Sequence, residues 1–134
     1  MNYIIDTNII SALMRDEPRV KARLQEKLLL GRSVFISAIS YYEIKRGLLA
    51  VSGNRRLGIF EEMCSRFGVL LLDDREIFDT AAQIYDELRR RGELIEDADI
   101  LIAALALLRE AVVVSGDTDF HRIRSLNVEN WLQT

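Results

Sequence analysis

The sequence predicts a three-layer α/β domain, in which a short, mostly parallel sheet of four or five strands is flanked by helices. Short apolar runs alternate along the chain with longer segments of helical spacing. The runs are continuously apolar, which is typical of parallel strands that are covered on both faces. The 134 residues contain 49% hydrophobic side chains and one proline, and they contain no repeat or linker. A single domain spanning residues 1–134 is therefore expected.

Each element is predicted from its own local pattern. Strands are predicted at residues 3–5, 34–37, 69–72 and 112–114, and a short fifth strand at Val128. Helices are predicted at residues 7–14, 18 to about 30, 38–50, 55–67, 75 to about 91, and 97–109.

The helix boundaries follow from capping residues, prolines and glycines. The predicted N-terminal signals are Thr7 or Asn8, Pro18, Asp73 or Asp74, and Asp97. The predicted stops are Gly31, Ser52-Gly53, Gly68 and Gly92.

Composition narrows the class of protein. The formal net charge of -3 argues against a surface coated in basic residues, although a local basic groove remains compatible with it. A single cysteine, Cys64, excludes an internal disulfide and a cysteine-rich zinc site, and favours a reducing compartment. The N-terminus lacks a basic signal region, and the longest apolar stretch, residues 100–108, is too short to span a membrane. We expect a cytoplasmic protein.

Four acidic residues lie beside apolar segments and far apart in sequence: Asp6, Glu43, Asp99 and Asp117. Asp6 directly follows the first predicted strand, and Asp117 follows the fourth after two residues. Ligands of a parallel sheet bind beyond the carboxyl ends of its strands, so both acids are expected at one edge. Glu43, in the helix after the second strand, and Asp99, in the first turn of its helix, can reach the same edge.

Two carboxylates about 4 Å apart repel by about 4 kcal/mol at an effective dielectric constant of about 20. Four clustered acids therefore require a cation, and oxygen-only ligands favour Mg²⁺ or Mn²⁺ over zinc. Such a metal activates water for attack on a phosphodiester. Asp97 points about 200° away from Asp99 on the helix and is assigned to the cap. Asp119 is either a secondary ligand or the start of a helical turn at residues 121–123.

Each acid also has a purely structural interpretation. Asp6 fits a turn or helix cap. Glu43 fits a solvated helix residue beside Lys45. Asp99 fits a first-turn acid on the helix dipole, and Asp117 fits a plain turn. Their joint placement favours a site.

These residues resemble the motifs of PIN-domain ribonucleases of the VapC toxin type. The matching segments are Asp6-Thr-Asn8 after the opening strand, residues 39–47 around Glu43, residues 99–104, and residues 113–120. Together they cover nearly the whole chain.

The resemblance implies a PIN-like fold, metal-dependent endoribonuclease activity, inhibition of translation, and neutralisation by a small antitoxin. It assigns catalysis to Asp6, Glu43, Asp99 and Asp117, with Asp6, Asp99 and Asp117 as metal ligands and Asp119, Ser115 and Asn8 as secondary candidates. Ser115 stands where the family usually has threonine, and it is expected to help position a metal-bound water. A homodimer is also implied.

Substrate binding is expected from cations near the acids, namely Lys45, Arg46 and Arg15, which would contact phosphates. A structured RNA loop, as in tRNA or rRNA, is the expected target. Tyr41 or Tyr42 is a candidate for stacking on a base, and the sequence does not choose between them. An antitoxin is expected to insert a basic side chain among the acids and to cover an apolar groove between helices.

Two other functions fit parts of the pattern. A receiver-like phosphoacceptor also places acids at strand ends, but the first strand offers Asp6 alone, and no lysine follows the fourth strand. A non-catalytic PIN-like module that binds RNA or protein is disfavoured because all four acids are present.

Overall fold

The computed structural model describes residues 1–51 and 55–133. In chain order the elements are β1 Asn2–Ile5, α1 Thr7–Met14, α2 Pro18–Leu29, β2 Ser33–Ser37, α3 Ala38–Leu49, α4 Arg55–Phe67, β3 Val69–Leu70, α5 Arg75–Arg90, α6 Asp97–Leu108, β4 Ala111–Val114, a 3-10 turn Thr118–Arg122, and β5 Val128–Glu129. The predicted alternation of strands and helices is confirmed.

The five strands form one sheet in the order β3-β2-β1-β4-β5, and every strand pair is parallel. The central strand β1 alternates its side chains between two cores. Ile4 packs with α5 and α6 on one face, whereas Tyr3 and Ile5 pack with α1, α2 and α4 on the other. Burial on both faces explains why the strand sequences are continuously apolar.

The central position of β1 beside β4 determines where the site forms. Ile5 is in register with Val114, so the two strands end side by side. Asp6 follows directly, and its backbone N–H donates to the carbonyl of Val114 over 2.9 Å. The residues after both strands therefore meet at the carboxyl edge of the sheet.

The structure corrects two predicted caps. The cap of α1 is Asp6 rather than Thr7 or Asn8, because the carbonyl of Asp6 accepts from Ile9 and Ile10. The cap of α6 is Glu96 rather than Asp97, because the carbonyl of Glu96 accepts from Asp99 and Ile100. Both helices begin at their predicted first residues, Thr7 and Asp97, and the cap is the residue before each.

Other boundaries differ in detail. Asp74, rather than Asp73, caps α5 by accepting from the backbone N–H of Glu76. Strand β3 ends at Leu70 instead of residue 72, since it pairs only beside Ile36 and Ser37 of β2. The predicted stop at Ser52-Gly53 lies outside the described residues. No helix in the described part of the chain has the length and apolar character needed to cross a membrane.

Candidate metal centre and substrate cleft

An open cleft of about 630 Å³ lies at the carboxyl edge of the sheet. All four predicted catalytic acids line it, together with two of the three predicted cations. The lining residues are Asp6, Thr7, Asn8, Ser11, Arg15, Glu43, Arg46, Asp99, Asp117 and Leu132. Helices α1, α3 and α6, the loop after β4 and the C-terminal segment thus contribute side chains to one space.

Asp6 is the most enclosed acid of the cleft, with 6% of its surface exposed. Ser115 donates a hydrogen bond from Oγ to Oδ2 of Asp6 over 2.8 Å. Burial raises the pKa of Asp6, and the carboxylates of Glu43 and Asp117 raise it further. The backbone N–H of Thr7 and the hydroxyl of Ser115 lower that pKa, because they bond to the charged form.

Ser115 and Asn8 tie the end of β4 to the start of α1. The Ser115 hydroxyl also accepts from the backbone N–H of Asp117 over 3.0 Å. The Asn8 amide contacts Ser115 Oγ through Nδ2 at 3.5 Å, and its Oδ1 accepts from the backbone N–H of Gly116 at 3.2 Å. Ser115 is 2% exposed, and its hydroxyl holds the carboxylate of Asp6 in place. The expected part of Ser115 in positioning a metal-bound water stays a prediction.

Glu43 reaches the cleft from α3 and is held by α1. Thr7 donates from Oγ1 to Oε1 of Glu43 over 2.9 Å. The hydroxyls of Thr7 and Ser40 lie 3.2 Å apart. Ser37, the last residue of β2, caps α3 by accepting from the backbone N–H of Ser40. This chain of polar contacts sets the direction of the Glu43 carboxylate.

Asp99, Asp117 and Asp119 bring carboxylate oxygens within 4.8 Å of one another. The pKa of Asp99 is raised to about 7, first by burial and then by the negative charges of Asp6, Asp117, Asp119 and Glu43. Asp117 also accepts from the backbone N–H of Asp119 over 2.9 Å. Both acids of the β4 loop thus reach Asp99, whereas the sequence left the choice between them open.

The donor set fits a hard divalent cation. All three clustered groups are carboxylates, and Asp6 lies close enough to raise the pKa of Asp99. Mutual repulsion in the metal-free cluster is the condition that a bound dication would relieve. Oxygen ligands at this spacing suit Mg²⁺, Mn²⁺ or Ca²⁺ better than a soft metal.

The predicted cations separate into two groups. Arg15 and Arg46 are exposed and line the cleft. Lys45 instead points to α4, where its ammonium bonds to Glu61 and to the hydroxyl of Tyr41. These bonds raise the pKa of Lys45. Adjacent helical residues point about 100° apart, which explains why Arg46 reaches the cleft while Lys45 turns away.

Sequence reasoning missed Thr7, Ser11, Ser40 and Leu132 as residues of the site. Thr7 follows Asp6 directly and was considered only as a cap, although a hydroxyl beside a site acid was a usable signal. Ser40 lies three residues before Glu43 and is buried on the same side of α3 as Ile44. Leu132 reaches the cleft through tertiary packing. Its side chain lies against Gly116, where an added Cβ would come within 2.9 Å of Leu132 Cδ1.

The structure thus defines a class of protein: an α/β domain with a parallel sheet and a cluster of carboxylates at the carboxyl ends of its strands. Such a cluster is suited to binding a cation. The model of the PIN domain matches residues 3–126. The chain therefore belongs to the PIN domain family.

Two curated relatives illustrate the similarity. Ribonuclease VapC1 of Haemophilus influenzae is 29% identical over 133 residues, which cover 98% of each chain. Ribonuclease VapC1 of Methanocaldococcus jannaschii is 33% identical over 106 residues, covering 79% of this chain and 68% of the relative.

Solved structures agree with the fold. The crystal structure of VapBC2 from Rickettsia felis bound to a promoter DNA fragment superposes with a TM-score of 0.87 at 25% identity, covering 98% of this chain and 99% of the other. VapBC-1 from nontypeable Haemophilus influenzae gives a TM-score of 0.87 at 28% identity, covering 99% of this chain and 100% of the other.

Proposed function

We infer that this chain is an endoribonuclease of the VapC type that hydrolyses RNA phosphodiesters and acts as the toxin of a toxin–antitoxin pair. The observation that carries the proposal is the carboxylate cluster of Asp99, Asp117 and Asp119 beside Asp6, in a chain of the PIN domain family. The two relatives named above are ribonucleases by name, and the similarity covers 98% of the Haemophilus influenzae protein and 68% of the Methanocaldococcus jannaschii protein. The expected metal is Mg²⁺ or Mn²⁺, and the expected substrate is a loop of tRNA or rRNA.

Asp6, Asp99 and Asp117 are proposed as the metal ligands, with Asp119 as a secondary ligand. A bound Mg²⁺ or Mn²⁺ supplies water activation and charge stabilisation at the phosphate. Ser115 keeps Asp6 turned into the cleft. Glu43, oriented by Thr7, faces the same space and takes up a proton from the attacking water. Arg15 and Arg46 hold the substrate phosphates at the rim.

The proposal is tested by incubating purified protein with total cellular RNA and Mg²⁺ or Mn²⁺. Discrete fragments are expected that disappear with EDTA and with Asp99→Asn or Asp6→Asn. The matched control is Asp97→Asn, which removes an exposed carboxyl from the same first turn of α6 and should leave cleavage intact.

Absence of cleavage together with absence of metal binding by calorimetry would contradict the proposal and favour the non-catalytic module. Labelling of an aspartate by acetyl phosphate would instead favour the phosphoacceptor.

A small antitoxin is proposed as the protein partner, because several structurally similar proteins are VapBC complexes. A second groove of about 320 Å³ adjoins the cleft through Ser11, Arg15 and Glu43. Its walls include Met14, Leu48 and the exposed Val51, so an apolar helix of the antitoxin can lie there.

Val51→Arg should weaken inhibition of cleavage by a co-expressed antitoxin without loss of cleavage itself. Leu49→Arg changes an equally exposed residue that is not part of this groove wall and is the control. Equal inhibition of both variants would place the antitoxin elsewhere.

We propose that residues 1–134 form a single domain and that the protein is a homodimer in the cytoplasm. Two cores on opposite faces of one sheet support a single folding unit. Sedimentation equilibrium of the purified chain tests the dimer, and cell fractionation tests the location.

A further inference from the structure

The adjacent tyrosines of α3 have different environments. Tyr41 stacks on Phe60 with ring centroids 5.6 Å apart, and its hydroxyl accepts from Lys45. Tyr42 is 61% exposed. Tyr41 is therefore part of the contact between α3 and α4, whereas Tyr42 presents an aromatic ring to solvent.

Arg46 joins the exposed ring to the cleft. Its guanidinium carbon lies 5.1 Å from the centroid of the Tyr42 ring, within the range of a cation–π contact. Arg46 is also one of the residues that line the acidic cleft. The contact holds a long, flexible side chain beside the ring and at the rim of the site.

Helical geometry places this pair beside a catalytic acid. Tyr42 immediately precedes Glu43, and Arg46 follows Glu43 by three residues. At about 1.5 Å of rise per residue, Tyr42 and Arg46 are separated by about 6 Å along the helix axis. An aromatic face and a guanidinium group therefore flank the level of Glu43 on one helix.

We propose that Tyr42 and Arg46 form a stacking platform at the rim of the acidic cleft, where Tyr42 stacks on a base of single-stranded RNA and Arg46 contacts the adjoining phosphate. The proposal deepens the endoribonuclease function and rests on it. A nucleotide carries its base and phosphate in one covalent unit, which matches a ring and a guanidinium one helical turn apart. An apolar protein partner would match the ring but would have to desolvate the arginine.

The test measures binding in the Asp99→Asn background, in which cleavage is not expected. The probes are a fluorescein-labelled single-stranded RNA of about twelve nucleotides and an abasic strand of the same length that retains every phosphate. Tyr42→Leu keeps an apolar side chain but removes the ring. It should weaken binding of the RNA about tenfold by fluorescence anisotropy and leave binding of the abasic strand unchanged.

Tyr42→Phe should restore RNA binding, because it retains the aromatic face. Tyr85→Leu removes an exposed aromatic side chain from α5 and is the matched control, with no change expected. Equal losses on the RNA and abasic strands would overturn the proposal, since Tyr42 would then act only by holding Arg46. Unchanged RNA binding would overturn it as well.

Sedimentation of the same variants separates this role from an interface between copies of the chain. A Tyr42→Leu protein that changes its association state while binding RNA normally would assign the ring to that interface and overturn the proposal. Cleavage of total RNA by the unmodified protein is measured in parallel. Base-dependent binding without any cleavage would contradict the endonuclease function alone. Cleavage by the unmodified protein, together with unchanged RNA binding by Tyr42→Leu, would contradict the platform alone.

Discussion

The carboxyl group of Asp99 shows how the fold changes the chemistry of a single residue. Its pKa of about 7 lies above the ordinary value of 3.8, because the group is partly buried and faces four other carboxylates. Between these two pH values the folded protein retains a proton that the unfolded chain has lost. By linkage, the contribution of Asp99 to the free energy of unfolding falls as pH rises through this window.

The first prediction concerns this pH dependence in the metal-free protein. Asp99→Asn should flatten the decline of the thermal midpoint between pH 4 and pH 7, because the amide cannot ionise. The midpoint at the upper end of the window should equal or exceed that of the unsubstituted protein. Thermal scans in EDTA at several pH values measure it. Asp97→Asn should retain the original slope, and a slope left unchanged by Asp99→Asn would mean that this carboxyl ionises normally.

At the scale of elements, the contact between α1 and α3 orients Glu43. The second prediction is that Thr7→Val lowers kcat for RNA cleavage about tenfold to a hundredfold, with little change in folding. The substitution removes the bond to Glu43 Oε1, and bonds to charged groups contribute about 1.5–3 kcal/mol. Thr7→Ser retains the hydroxyl and should retain cleavage. Equal kcat values for the Thr7→Val and Thr7→Ser variants would show that Glu43 is oriented without the Thr7 hydroxyl.

Two glycines near α4 are predicted to respond in opposite directions. Gly68, between α4 and β3, has a φ of +84° in the left-handed region, so Gly68→Ala should cost about 1–2 kcal/mol of stability. Gly58 lies inside α4, and among the described residues no neighbouring atom lies within 4 Å of the position that an added Cβ would take. Gly58→Ala should stabilise the protein by about 0.5–1 kcal/mol. Urea unfolding measures both values, and changes of the same sign would contradict the backbone argument.

At the scale of the whole molecule, the C-terminal segment is anchored by Trp131. This side chain is fully buried, its ring lies 5.8 Å from that of Tyr3, and its Nε1 donates to Glu129. Trp131→Ala should lower the free energy of unfolding by about 3–5 kcal/mol in a single urea transition followed by circular dichroism. Leu49→Ala, at an exposed position, should change it little. A loss no larger than that of Leu49→Ala would show that the segment adds little to the core.

Local patterns were sufficient to predict most of the fold. Helix α4 was predicted with its observed bounds, since a glycine and an apolar strand follow it directly. The predicted caps lay one or two residues too late for α1 and one residue too late for α6, because the cap is decided by backbone dihedrals and carbonyl acceptance as well as by side-chain preference. Strand β3 was predicted too long, because its length depends on the residues available for pairing on β2.

The sequence by itself determined the layered α/β architecture, the parallel sheet and the four acids expected at one edge. These follow from periodicity and from the position of each acid relative to a strand, which are local properties of the chain. Only the tertiary structure decided that Asp119 joins Asp99 and Asp117, that Ser115 supports Asp6, and that Arg46 rather than Lys45 faces the cleft. Those outcomes depend on distances of a few ångströms between residues far apart in sequence, and such distances are set by packing.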